Sequence, residues 1–180
     1  MHELSKSTAP NWLASNGRWI NALLFQLGWF SCVLGGNLIA ILVTASILLA
    51  HSRLFLKGRQ EYLLLAAVTC LGMAVDSFWA YSGVLAFPDS LTFIPLWLVC
   101  IWVLFATSLC HSLQWLQQRL LLASVLGAVA GPSSYLGGAA LAGVIIGEPR
   151  MLSIAVIALA WALVMPLILL LARAVADNRE

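Results

Sequence analysis

Long apolar runs follow one another from Trp19 to Arg173, separated only by short polar breaks, and a chain built this way buries its side chains in lipid. A bilayer-crossing helix needs about 20 such residues. Runs at 19–35, 37–53, 62–84, 94–115, 119–146 and 151–173 meet or approach that length. The spacing predicts an all-α, polytopic transmembrane helix bundle of six spans. The first two runs are short, and Gly35-Gly36-Asn37 between them reads as a tight turn, because glycine and asparagine tolerate positive φ. The fifth run is too short for a hairpin of two spans, which needs about 40 residues. It contains Gly131-Pro132-Ser133-Ser134-Tyr135, so a single fifth span broken at Pro132 is expected.

Charge placement gives the orientation. Cytoplasmic residues 1–18, a bundle over 19–173 and a cytoplasmic tail at 174–180 put Lys6, Arg18, Arg53, Lys57, Arg59, Arg119, Arg173 and Arg179 inside. Only Arg150 of the basic residues falls outside, with Glu148 and Asp89. The positive-inside rule then sets both termini in the cytoplasm. The first run lacks a small-x-small cleavage site and reads as a retained anchor. Charged residues make up 9% of the chain, against about 25% in soluble domains, which excludes that class. A net charge of +2 leaves no basic patch for nucleic acid. Cys32, Cys70, Cys100 and Cys110 form no C-x-x-C pair and read as packed, reduced thiols. No metal and no cofactor are expected.

One acid, Asp76, stands inside the third run, with Gly72, Ala80 and Gly83 at helical spacing and Trp79 a turn further on. An ionisable group at that depth costs about 2.5–3.5 kcal/mol on insertion scales and calls for a partner. Asp76 lies roughly 20 Å along its span by helical rise. Ser133, Ser134 and Tyr135 come to a similar height on the fifth span, so Tyr135 or a serine can donate to it. Asp76, Trp79, Ser133, Ser134 and Tyr135 are therefore the candidate ligand-binding set. The competing reading is a purely structural hydrogen bond. A second polar layer lies nearer the cytoplasm: Asn21 and Gln26 on span one, His111 and Gln114 on span four. Thr107, His111, Gln114 and Gln118 recur at three or four residues and read as one helical stripe. A hydrogen-bonded histidine competes there with a proton-relay role. Gly127-x-x-x-Gly131 and Gly143-x-x-x-Gly147 read as helix-packing faces.

Three passages carry a family likeness: Asn21-Ala-Leu-Leu-Phe-Gln-Leu-Gly-Trp-Phe-Ser-Cys-Val-Leu-Gly-Gly36, Phe105-Ala-Thr-Ser-Leu-Cys-His-Ser-Leu-Gln-Trp115, and Gly127-Ala-Val-Ala-Gly-Pro-Ser-Ser-Tyr135. Over nearly the whole chain they resemble a bacterial inner-membrane family catalogued only as a domain of unknown function. The resemblance carries over no catalytic residue. It implies a multi-pass protein of a Gram-negative inner membrane, with a lipid-related setting.

Three functions compete. One is a module that binds or transports a small amphipathic or lipid-like molecule around the fifth span. The second is an intramembrane enzyme or accessory subunit of a fatty-acyl or lipid-modifying system, centred on His111; no H-E-x-x-H, G-x-S-x-G or P-loop pattern supports it. The third is a purely structural subunit. Expected partners are membrane lipids and a small-molecule or lipid ligand. The glycine faces also permit a membrane-protein partner or a homo-oligomer.

Overall fold

A computed structural model describes residues 11–55, 58–88 and 94–177. Lys6, Lys57, Asp89 and Arg179 of the charge pattern lie outside the described residues, as do most of the N-terminal segment and the end of the tail. The helices are α1 (Asn11–Leu54), α2 (Arg59–Tyr81), α3 (Leu96–Ser108), α4 (Leu120–Leu141) and α5 (Arg150–Asp177). The β-structure among the described residues is one antiparallel ladder of β1 (Leu85–Ala86) with β2 (Ile145–Ile146).

Helix α1 is a hairpin of two arms. Gly36 breaks it with φ 67° and ψ −171°, a conformation open to glycine because it has no Cβ. Cys32 Sγ and Thr44 Oγ1, 12 positions apart, lie 3.9 Å from each other. In a straight helix that separation would be about 18 Å. Next to the turn, Asn37 Oδ1 accepts the backbone N–H of Trp97 at 3.1 Å. It thereby satisfies one of the donors left open at the start of α3.

Four helices are long and apolar enough to cross a membrane: Ser15–Leu54, Arg59–Tyr81, Leu120–Leu141 and Arg150–Asp177. The six runs expected from the sequence do not each form a separate helix of that length. The first two runs form one bent element, and α3 has 13 residues. At about 1.5 Å per residue it reaches roughly 20 Å, short of a hydrocarbon core of about 30 Å. After Ser108 the chain leaves α-helix for turns and a 3-10 segment, Gln114–Leu116. Thr107 and Ser108 donate their hydroxyls to the carbonyls of Leu104 and Phe105, each at 2.6 Å, a local bonding that competes with helix continuation. The predicted stripe from Thr107 to Gln118 therefore does not exist as a helical face.

The predicted break at Pro132 is also absent. Helix α4 runs through it from Leu120 to Leu141. A proline inside a helix removes one hydrogen bond and its ring crowds the carbonyl four residues back, here that of Ala128; the helix nevertheless continues, and Gly131 beside it lets α5 pack very close. A Cβ at Gly131 would lie 2.2 Å from Trp161 Cγ, and one at Gly127 would lie 2.5 Å from the Trp161 carbonyl oxygen. That glycine pair is a helix-packing face. The second pair is not: Gly143 has φ 68° beyond the end of α4, and Gly147 abuts the Gly83 carbonyl in the loop beside the ladder.

Helix α1 packs along α3, and α4 along α5; α2 joins the two pairs, chiefly through α3. Large apolar side chains point outward, such as Leu121 at 81%, Leu163 at 68% and Leu159 at 67% exposed, while Asn21, His51, Glu61 and Asp76 are buried. In water such a surface would be an association patch; against lipid it is solvated. Contacts also define two ends. Asn21 meets Thr107 and Ser112, His51 meets Glu61, and Cys110 Sγ meets the Ala172 carbonyl at one end. The Gly36 turn, the ladder and the start of α5 form the other.

Candidate functional site

Helix α2 carries a buried acid near each end. Asp76, fully buried, accepts the indole N–H of Trp102 on Oδ2 at 2.6 Å and the Tyr135 hydroxyl on Oδ1. Three helices thus meet on one carboxyl group. One turn earlier, Gly72 makes room for the Trp102 ring: a Cβ there would sit 1.9 Å from Trp102 Cδ2. The sequence points to Tyr135 as a donor. It gives no sign of Trp102, which by residue type reads as an interface anchor but is 3% exposed. Trp79 packs with Leu85, Tyr135, Val144, Ile146 and Ile157. The indole N–H groups of Trp79 and Trp161 are buried, and neither closes an ordinary hydrogen bond.

Trp102 and Tyr135 show their other faces to an open-sided cavity of about 690 Å³ between the first arm of α1, α3, α4 and α5. Its wall is mainly apolar, and the rings of Phe25, Trp29, Trp97, Phe105 and Trp161 are part of it. Trp102 and Trp161 stack with centroids 5.2 Å apart. Polar atoms are few and come from Gln26, Ser112, Ser133 and Ser134 among others. Trp29 Nε1 donates to Ser134 Oγ at 3.2 Å, tying α1 to α4. Ser133 lines the same space but spends its proton on the Val129 carbonyl at 2.7 Å. The predicted ligand set is therefore divided. Ser133, Ser134 and Tyr135 reach the cavity, whereas Asp76 and Trp79 stand behind its wall.

The inner polar layer is also divided. His111, 9% exposed, brings Nε2 to 2.6 Å from Glu61 Oε1, and His51 Nε2 lies 3.2 Å from the same oxygen. Phe55 stacks on His51 and meets His111 edge-on, with centroids 5.6 and 5.4 Å away. Asn21 is beside this group but separate from it. Its Nδ2 donates to the Thr107 carbonyl at 3.2 Å, and its Oδ1 accepts the Ser112 hydroxyl at 2.8 Å. Gln26 faces the cavity and Gln114 is exposed, so neither joins His111. A second buried amide of this region is Gln117, donating to the Leu109 carbonyl at 2.9 Å. His51 and Glu61 escape sequence reasoning, since each lies at the edge of an apolar run where charge is ordinary. Asp76 and Glu61 are 15 residues apart on α2, about 22 Å along the helix, so the two polar centres act separately.

Helices of this length and polarity, with apolar surfaces outside and ionisable side chains inside, define a helical membrane protein. Residues 18–167 match the model of a family described as a protein of unknown function, DUF2878, and the chain belongs to that family. No curated protein and no solved structure matches it.

Proposed function

We propose that the chain is a bacterial inner-membrane protein that holds a small amphipathic or lipid-like molecule in the aromatic cavity. The observation that carries this reading is the cavity itself. Its volume of about 690 Å³ lies within the range of small-molecule sites, about 300–1,000 Å³. It is apolar, with a few polar groups placed where a headgroup or a carbonyl could be oriented. Its side opens between α1 and α4, where an acyl chain could enter from the bilayer. Ser134 and Tyr135 would meet the polar part of the ligand, and Trp29, Trp97 and Phe105 its chain. Asp76 would act indirectly, by holding Trp102 and Tyr135 in the wall.

In the same reading the hairpin arms of α1, with α2, α3 and its following turns, α4 and α5, make six crossings. Arg18, Arg53, Arg59, Arg119 and Arg173 lie near the end occupied by His51 and His111, and Arg150 near the other. The positive-inside rule then supports cytoplasmic termini. The test is native mass spectrometry of protein extracted in mild detergent. Wild type should retain a lipid-sized adduct, and Ala130→Trp, which fills the cavity from α4, should lose it while keeping its helical circular dichroism. Equal retention by a folded Ala130→Trp would refute the reading.

A further inference from the structure

Three side chains from three different elements converge away from the cavity: His51 near the end of α1, Glu61 in the first turn of α2, and His111 in the turns after α3. Their ligating atoms all lie within 4.8 Å of one another. Two imidazole nitrogens and a carboxylate oxygen are a donor set that first-row transition ions take, with His₂Glu among the zinc sites that keep a position open. We propose that His51, Glu61 and His111 bind a divalent transition-metal ion of the zinc class.

The geometry supports it on three counts. Metal–ligand bonds of about 2.0–2.2 Å place ligand atoms roughly 3–3.5 Å apart, and side-chain rotation covers the difference from the observed 3.2 and 2.6 Å. Both imidazoles present the same atom, Nε2, to the same point. The packing of Phe55 against both rings holds them in that attitude. As a hydrogen-bonded triad without metal, each Nε2 would carry a proton aimed at Glu61 Oε1. As a metal site, both nitrogens are bare and the ion takes the protons' place. The carboxylate supplies one negative charge against two positive, so a hydroxide or an anionic ligand group at the open position would complete neutrality. Ser112 and Leu113, next to His111, line the inner end of the cavity, so such a ligand could come from there.

The experiment uses the full untagged chain in detergent, stripped with chelator and titrated with zinc. Wild type should bind one zinc per chain, and its X-ray absorption should show two imidazoles and an oxygen in the first shell. Glu61→Gln, His51→Gln and His111→Gln should each weaken zinc binding about 10–100-fold or more, since even outer-shell changes at metal sites have effects of that size. Asp76→Asn should leave it unchanged. No zinc bound by wild type would overturn the proposal, as would variants with wild-type affinity. Should a variant fail to fold, the absorption spectrum of wild type decides: a first shell without imidazole overturns the site.

Discussion

Asp76 and Glu61 are both buried carboxyl groups on one helix, yet they keep different company. Asp76 takes its hydrogen bonds from an indole and a phenol, groups that neither titrate near neutrality nor ligate metals readily. Glu61 faces two imidazoles, which are the commonest metal ligands. The chemistry of the donors, rather than the depth of the acid, separates a structural lock from the proposed metal site. Asp76 fixes Trp102 and Tyr135 where they wall a cavity. Glu61 gathers two imidazoles at the end where the arginines cluster.

The comparison breaks most readily at Asp76. Asp76→Ala leaves two buried donors without an acceptor, at about 1–3 kcal/mol each, so a loss of roughly 2–6 kcal/mol is expected in reversible unfolding from mixed micelles. A loss below about 1 kcal/mol would mean the two donors find other acceptors. Gly72→Ala should follow, at about 1–3 kcal/mol, because its Cβ would overlap the Trp102 ring. Tryptophan fluorescence should shift with it; an unchanged spectrum and stability would place that ring elsewhere. Glu61→Gln retains an acceptor oxygen and should lose only about 1 kcal/mol in the same unfolding assay. If it lost more than Asp76→Ala, Glu61 would be the structural lock and Asp76 the dispensable acid. Smallest is Ser134→Ala, which removes the Trp29 bond across the cavity mouth. Interhelical hydrogen bonds in a membrane average about 0.6 kcal/mol, and a similar loss is expected.

Much of this was legible in the chain and some was not. Apolar runs locate the helices because lipid permits little else. The lone acid in the third run demands a donor, and helical rise alone puts Tyr135 at its height. Gly127 and Gly131 announce close packing, and Gly36 a turn. Pro132 misleads because a helix-breaking residue is tolerated where a neighbouring helix supports the backbone, and α5 packs tightly on α4 there. The stripe through His111 misleads because Thr107 and Ser108 bond back to their own helix and α3 stops there. Trp102 is hidden by its residue type, equally at home at an interface or in a core. The His51–Glu61–His111 group is hidden by topology: its members are 10 and 50 positions apart, and only the packing of α1, α2 and the turn after α3 brings them together.

The most direct measurement of what the cavity does is photocrosslinking in native membranes with a diazirine-bearing fatty acid, followed by peptide mapping. Labels should concentrate on the inward faces of α1 and α4, at Phe25, Trp29 and Ala130 to Tyr135. Labels confined to the outward residues Leu121, Leu159 and Leu163 would show that lipid only bathes this protein and does not enter it.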